Sequence, residues 1–213
     1  MSALSDALSG AAYRPETPWR PAAAVGLVVV ASLAPILVGI LAAVMQDAGL
    51  VGVDQPAASG GIPSLASPFM LAQMIAGQLL SLAIVWWAAG WKGARGATLR
   101  LLPPQTGWLE AVGYGALLIV LIGPIELLLY RLAGIELFTD GRWLLEGLRS
   151  PYWWAVILAA VVLAPLWEEG AFRGFLLSAL AKSRLGFWPA AVLSAGLWTA
   201  LHMGYSWPGP ASA

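Results

Sequence analysis

Five long apolar stretches, nearly free of charge, dominate this 213-residue chain. They run from about Pro21 to Met45, Pro68 to Trp91, Trp108 to Leu132, Tyr152 to Leu180 and Phe187 to Met203. A bilayer core takes about 20 apolar residues of helix to cross. In hydrocarbon every backbone N–H and C=O must find its partner inside the protein, so each stretch is predicted as an α-helix. The expected fold is all-α: a polytopic transmembrane helix bundle of about five spans. Residues 1–20 form a cytoplasmic N-terminal segment, and 21–213 form the membrane domain. The first span is too long, and begins too late, for a cleaved signal.

Composition supports this reading. Apolar residues make up 60% of the chain and charged residues 10%, against roughly 25% charged in a soluble domain. The formal net charge is zero, and no basic block points to nucleic acid. There is no cysteine, which excludes disulfides and thiolate metal sites. Of the 12 Trp, most sit at the ends of apolar runs, among them Trp19, Trp86, Trp87, Trp91, Trp108, Trp153, Trp154 and Trp188. An indole pairs an apolar ring with one N–H donor and settles at the headgroup level.

The connectors set an orientation. Residues 51–67 are rich in Gly, Pro and Ser, with Asp54 and no basic residue. Residues 92–106 carry Lys92, Arg95 and Arg100, and Lys182 and Arg184 follow the fourth span. Basic loops stay cytoplasmic, so the N-terminus, with Arg14 and Arg20, is expected inside the cell membrane. The third connector carries Arg131, Arg142 and Arg149, offset by Glu136, Asp140 and Glu146. Within it, residues 141–149 place Trp143, Leu144 and Leu148 near one helical face. That pattern fits a short helix along the membrane surface or a solvated loop helix.

The fourth stretch holds charges where charges are costly. Its run Pro165-Leu-Trp-Glu-Glu-Gly-Ala-Phe-Arg-Gly174 contains Glu168, Glu169 and Arg173. Each charge at mid-membrane costs about 2.5–3.5 kcal/mol on insertion scales, so the three are expected to pair or to work. Glu169 and Arg173 are four apart and share a helix face, the spacing of an ion pair. Glu168 lies about 100° around the helix, with no equally clear partner on its own helix. A buried carboxylate in that position is a general-base candidate. Pro165 removes a backbone hydrogen bond one turn earlier and is expected to kink the helix. Gly170 and Gly174 let neighbours approach. The single histidine, His202, lies in the fifth span, which a short connector makes the antiparallel neighbour of the fourth. Glu126, near the end of the third span, reads as structural.

Here the residues resemble a known family. Glu168-Glu169-x-x-x-Arg173, with Phe172-Arg173-Gly174, resembles the first motif of the CPBP family. That family comprises CAAX prenyl endopeptidases and bacteriocin-processing or Abi proteins, which are intramembrane proteases. Trp198-x-x-x-His202 resembles the second motif, usually Phe-x-x-x-His. The resemblance covers the last quarter of the chain, with a motif-bearing core at about 152–204. It implies an intramembrane endopeptidase acting on a membrane-associated or lipidated peptide. Glu168, Glu169 and His202 would be catalytic: Glu168 would activate water, and His202 would hold that water or a metal. Arg173 and Trp198 would be supporting residues. The residues leave open a zinc or other divalent-metal mechanism, with Glu168 and His202 as ligands, and a metal-free glutamate mechanism.

Two positions depart from the pattern. Trp198 stands where the family usually has Phe. The family's third motif, His-x-x-x-Asn on a later span, has no counterpart, because the chain holds one His. The tail Ser206-Trp-Pro-Gly-Pro-Ala-Ser-Ala213 reads as the start of a loop, so the expectation is a C-terminally truncated chain rather than a degenerate member. The absent motif motivates a second reading, a non-catalytic membrane protein acting in peptide binding or bacteriocin self-immunity. A third is a transporter relaying protons through Glu168 and Glu169, against which stands the lack of an inverted repeat. No His-Glu-x-x-His zinc motif, Gly-x-Ser-Gly with an opposing His, or intraspan Asp pair supports another protease class.

Overall fold

The computed structural model describes residues 9, 10, 13, 15, 17–51, 67–91, 95–99, 101, 107–133 and 142–202. Arg14, Asp54, Lys92, Arg100, Glu136, Asp140, Met203 and the 206–213 tail lie outside them, as do the side chains of Glu126, Arg142 and Trp143. All regular structure among the described residues is helical. The helices are α1 (Pro21–Asp47), α2 (Pro68–Trp91), α3 (Arg95–Leu99), α4 (Trp108–Ala133), α5 (Arg142–Leu148), α6 (Trp153–Ala181) and α7 (Phe187–His202). Four of them, α1, α2, α4 and α6, are long and apolar enough to cross a membrane. The fifth predicted span is present as α7. Its 16 described residues make about 24 Å of helix, short of a hydrocarbon core of about 30 Å. The chain divides into two units, Met1–Leu101 with Trp143–Leu201, and Leu102–Arg142 with His202–Ala213.

In the first unit, α1 begins with Pro21 at its first turn, where a missing N–H costs nothing. It ends in a left-handed Gly49, φ 68°, with Leu50 N–H bonded to Met45 O and Gly49 N–H to Gln46 O. That double closure satisfies carbonyls the helix would leave open. Pro35 lies inside α1 and has no N–H for the carbonyl four residues back, Ala31 O. The hydroxyl of Ser81 on α2 donates to that carbonyl at 2.8 Å. The approach needs Gly77, where an added Cβ would stand 2.7 Å from Pro35 Cα. The pairs 31 with 81 and 35 with 77 run in opposite directions, so α1 and α2 are antiparallel.

α2 and α6 run parallel. Leu71 packs in one cluster with Ala155 and Val156, and Val85 in another with Trp167 and Ala171. The main core gathers Ala24, Val28 and Ala31 of α1, Ala88 and Ala89 of α2, and Phe175, Leu176 and Ala179 of α6. Its many alanines suit a membrane bundle, where lipid tails are as apolar as Leu and close backbone approach supplies the packing energy. The connector after α2, read from sequence as a loop, contains the one-turn helix α3. There Gly174 meets the backbone of Leu99, and a Cβ on it would lie 2.9 Å from Leu99 O. The short helix expected before the fourth span is α5, whose Leu144 packs on the Leu71 cluster.

The N-terminal segment is tied to this unit. Thr17 Oγ1 lies 3.2 Å from Thr98 Oγ1, and Lys182 Nζ donates to Thr17 O at 2.7 Å. Trp19, expected at the headgroups, instead packs on Phe175 with ring centres 5.1 Å apart. The other expected belt residues of this unit, Trp86, Trp87, Trp91, Trp153, Trp154 and Trp188, are exposed. Arg95 folds back over Trp86, 4.7 Å from its ring, and donates to Trp86 O.

In the second unit α4 has no buried residue among its described side chains and is apolar all round, as a helix bathed in lipid is. Glu110 lies in its first turn and Arg131 in its last, the arrangement that complements the helix dipole.

Ser81→Ala is expected to destabilise the first unit by about 1–3 kcal/mol, since it leaves a buried carbonyl without a donor. Thermal unfolding in detergent checks this, and an unchanged midpoint would remove Ser81 from the account of Pro35.

Candidate active site

The site is built on α6, whose winding widens twice. Residues Leu158–Leu163 are π-helical, with Ala164 N–H reaching Ala159 O. This wider turn comes directly before Pro165, whose ring would otherwise press on the carbonyl one turn back. The expected kink is thus met by a local widening. A second π-helical stretch, Glu169–Leu176, carries the motif residues. Segments of this kind are rare and recur at functional sites.

Glu168 is the last α-helical residue before the second widening. It is the sixteenth residue of a span of 29, counted from Trp153, and so sits near mid-span. Its side chain is half-buried. The expected ion pair is present: Arg173 Nη1 lies 2.6 Å from Glu169 Oε1, with side chains 76% and 54% exposed. The pair lies open on the surface of the unit. Phe172, Gly174, Phe175 and Leu176 turn the other way, into the core.

Helix α7 returns antiparallel beside α6, as its short connector predicts. Ser194 Oγ, buried, donates to Phe172 O at 2.8 Å. One turn on, Trp198 Nε1 donates to Glu168 Oε2 at 2.9 Å. Ser194 and Trp198 are four apart on α7, and 172 and 168 are four apart on α6, so both bonds report one register. Glu168 therefore has a partner after all, supplied by the neighbouring helix. Leu177 N–H also bonds Phe172 O, so that carbonyl accepts twice. Sequence motifs alone did not single out Ser194. Its place one turn before Trp198, on the same face, was the available signal.

Between α6 and α7 lies a cavity of about 290 Å³ lined by Glu168, Glu169, Phe172, Arg173, Ser194 and Trp198, among others. It has room for several waters. His202 continues α7 four residues beyond Trp198, is half-buried, and is the helix's last residue. It belongs to the second unit. Among the described residues no three His, Asp or Glu side chains gather as a metal-holding group, whereas a catalytic zinc normally takes three protein ligands.

Residues 150–212 match the family described as type II CAAX prenyl endopeptidase Rce1-like. The matched stretch takes in α6, α7 and both motifs. It agrees with the CPBP resemblance and supports a membrane protease role at the level of the family. No curated protein and no solved structure shows significant similarity to the chain.

Ser194→Ala removes the donor to a buried carbonyl that a second N–H still serves. A loss of about 0.5–1.5 kcal/mol is expected, read by thermal unfolding. A neutral effect would show that the α6–α7 register does not depend on this bond.

Proposed function

We propose that the protein is an intramembrane endopeptidase that hydrolyses a peptide bond of a membrane-associated or lipidated substrate, with Glu168 as the base. One observation carries the reading: a half-buried carboxylate at mid-span opens on a cavity between two helices, beside an exposed Glu169–Arg173 pair. Exposed charges at that depth are too costly to face lipid tails, so the cavity is read as wet. A cavity of this kind supplies both the water and the polar surroundings that hydrolysis needs.

In the proposed reaction Glu168 takes a proton from water as the oxygen attacks the peptide carbonyl carbon. The carbonyl π pair moves to oxygen, giving a tetrahedral intermediate. When the C–N bond breaks, protonated Glu168 returns the proton to the leaving nitrogen. The Arg173 guanidinium carries five N–H donors, and Glu169 engages Nη1. The remaining donors suit the developing oxyanion. His202 keeps the role that the family resemblance implies for it, holding the water. A metal held by Glu168 and His202 would need a third protein ligand.

Glu168→Gln keeps the shape and removes the base. Cleavage of an S-farnesylated peptide ending in a CAAX sequence, reconstituted in vesicles with the protein, is expected to fall about 10²–10⁴-fold. Full activity of this variant, or no cleavage by the unmodified protein, would overturn the reading. The second outcome would favour non-catalytic peptide binding.

The orientation proposed is N-terminus inside. Within the first unit Arg20, Arg95, Lys182 and Arg184 share the end where α1 begins and α2 and α6 finish, and basic flanks stay cytoplasmic. The chain has no native cysteine, so single cysteines report cleanly. A cysteine at Arg184 is expected to resist an impermeant maleimide in intact cells, and one at Leu50 to react. The reverse pattern would invert the topology.

A further inference from the structure

Trp198, the motif position that departs from the family pattern, makes a polar contact with Glu168 that a phenylalanine could not make. The indole N–H reaches Glu168 Oε2 at 2.9 Å, and a phenyl ring has no such donor. We propose that Trp198 is a positioning residue, whose N–H holds the Glu168 carboxylate in one orientation for taking the proton from water. The proposal rests on Glu168 being the base.

Three features support it. The helix that carries the indole is anchored beside it. Ser194, one turn earlier, fixes α7 to the Phe172 carbonyl through a buried bond, so Trp198 starts from a set backbone position. Its ring has only two side-chain torsions to order, whereas a glutamate has three. The rigid partner therefore orders the mobile one. Glu168 also sits where the ladder of α6 widens, so contacts within its own helix constrain it less than in a regular turn.

The chemistry of the donor matters as well. A guanidinium would bind the carboxylate more strongly, since charge-assisted bonds are roughly twice as strong as neutral ones. It would also oppose uptake of a proton. Arg173 is paired with Glu169 instead, and Trp198 gives Glu168 a neutral donor. An indole N–H orients a carboxylate oxygen with less opposition to its protonation. A carboxylate has about four acceptor sites on two oxygens, so one such bond leaves capacity for water.

The test uses two replacements in the full chain, Trp198→Phe and Trp198→3-benzothienylalanine, which keeps the bicyclic shape and lacks the N–H. Both are expected to lower kcat about three- to tenfold with KM within twofold of the unmodified protein. Thermal unfolding confirms that each variant is folded. In the Glu168→Gln background Trp198→Phe is expected to add no further loss, the coupling signature of two groups acting together. If the isostere keeps full kcat while the Phe variant loses it, ring shape and not the N–H is at work, and the proposal fails. If both keep full kcat while Glu168→Gln is inactive, the proposal fails and the base assignment stands. If Glu168→Gln itself keeps full activity, both fall.

Discussion

A carbonyl without an N–H donor inside a membrane helix cannot turn to water, and much of this protein is arranged around that fact. Pro35 leaves Ala31 O without its helical partner, and Ser81 reaches across from α2 to supply one. That reach requires the two backbones to lie close, which is why Gly77 faces Pro35. The proline therefore does more than interrupt a helix. It creates an acceptor that only a neighbour can satisfy, and so specifies where α2 must sit along α1. In a medium with no hydrophobic drive between helices, such a local requirement sets register as apolar contact cannot.

The same logic extends to α6 and α7, with a functional edge. Where α6 winds more widely, Phe172 O takes a hydroxyl from Ser194 as well as its helical N–H. The bond sits one turn from Trp198 and four residues from Glu168, so the contact that fixes the hairpin also fixes the approach to the carboxylate. Core packing and the exposed ion pair share one segment. Phe172, Phe175 and Leu176 anchor it in the core, while Glu169 and Arg173 stand open to the cavity.

Much of this was legible in the sequence, for identifiable reasons. Span-length apolar runs have one structural solution in lipid, so the helices of α1, α2, α4 and α6 followed directly. Glu169 and Arg173 were readable as a pair because four-residue spacing is a local property of a helix. Long-range geometry was not readable. Nothing in the string Trp198-x-x-x-His202 says that the indole N–H points at Glu168, because that depends on how far α7 slides along α6. The packing of Trp19 on Phe175 was not readable either, because an indole at a span's edge suits both the headgroups and a core ring. The exposure of the Glu169–Arg173 pair was hidden for a related reason. Periodicity tells which residues share a face, but not whether a neighbouring helix covers it.

The placement of charge then decides between two ways of keeping carboxylates in a membrane. A fully buried pair would carry a desolvation cost that its mutual attraction barely offsets, and it would exclude the substrate as well. Here the pair is open and Glu168 half-covered, which on the proposed reading is where water enters. Opening the site to water lowers the cost of the charges but loosens them, since exposed pairs are weakly held. A rigid neutral donor from a separately anchored helix is one way to restore order without closing the cavity. The indole at 198 supplies that, which gives a physical reason for a tryptophan where a phenyl ring would fill much of the same space.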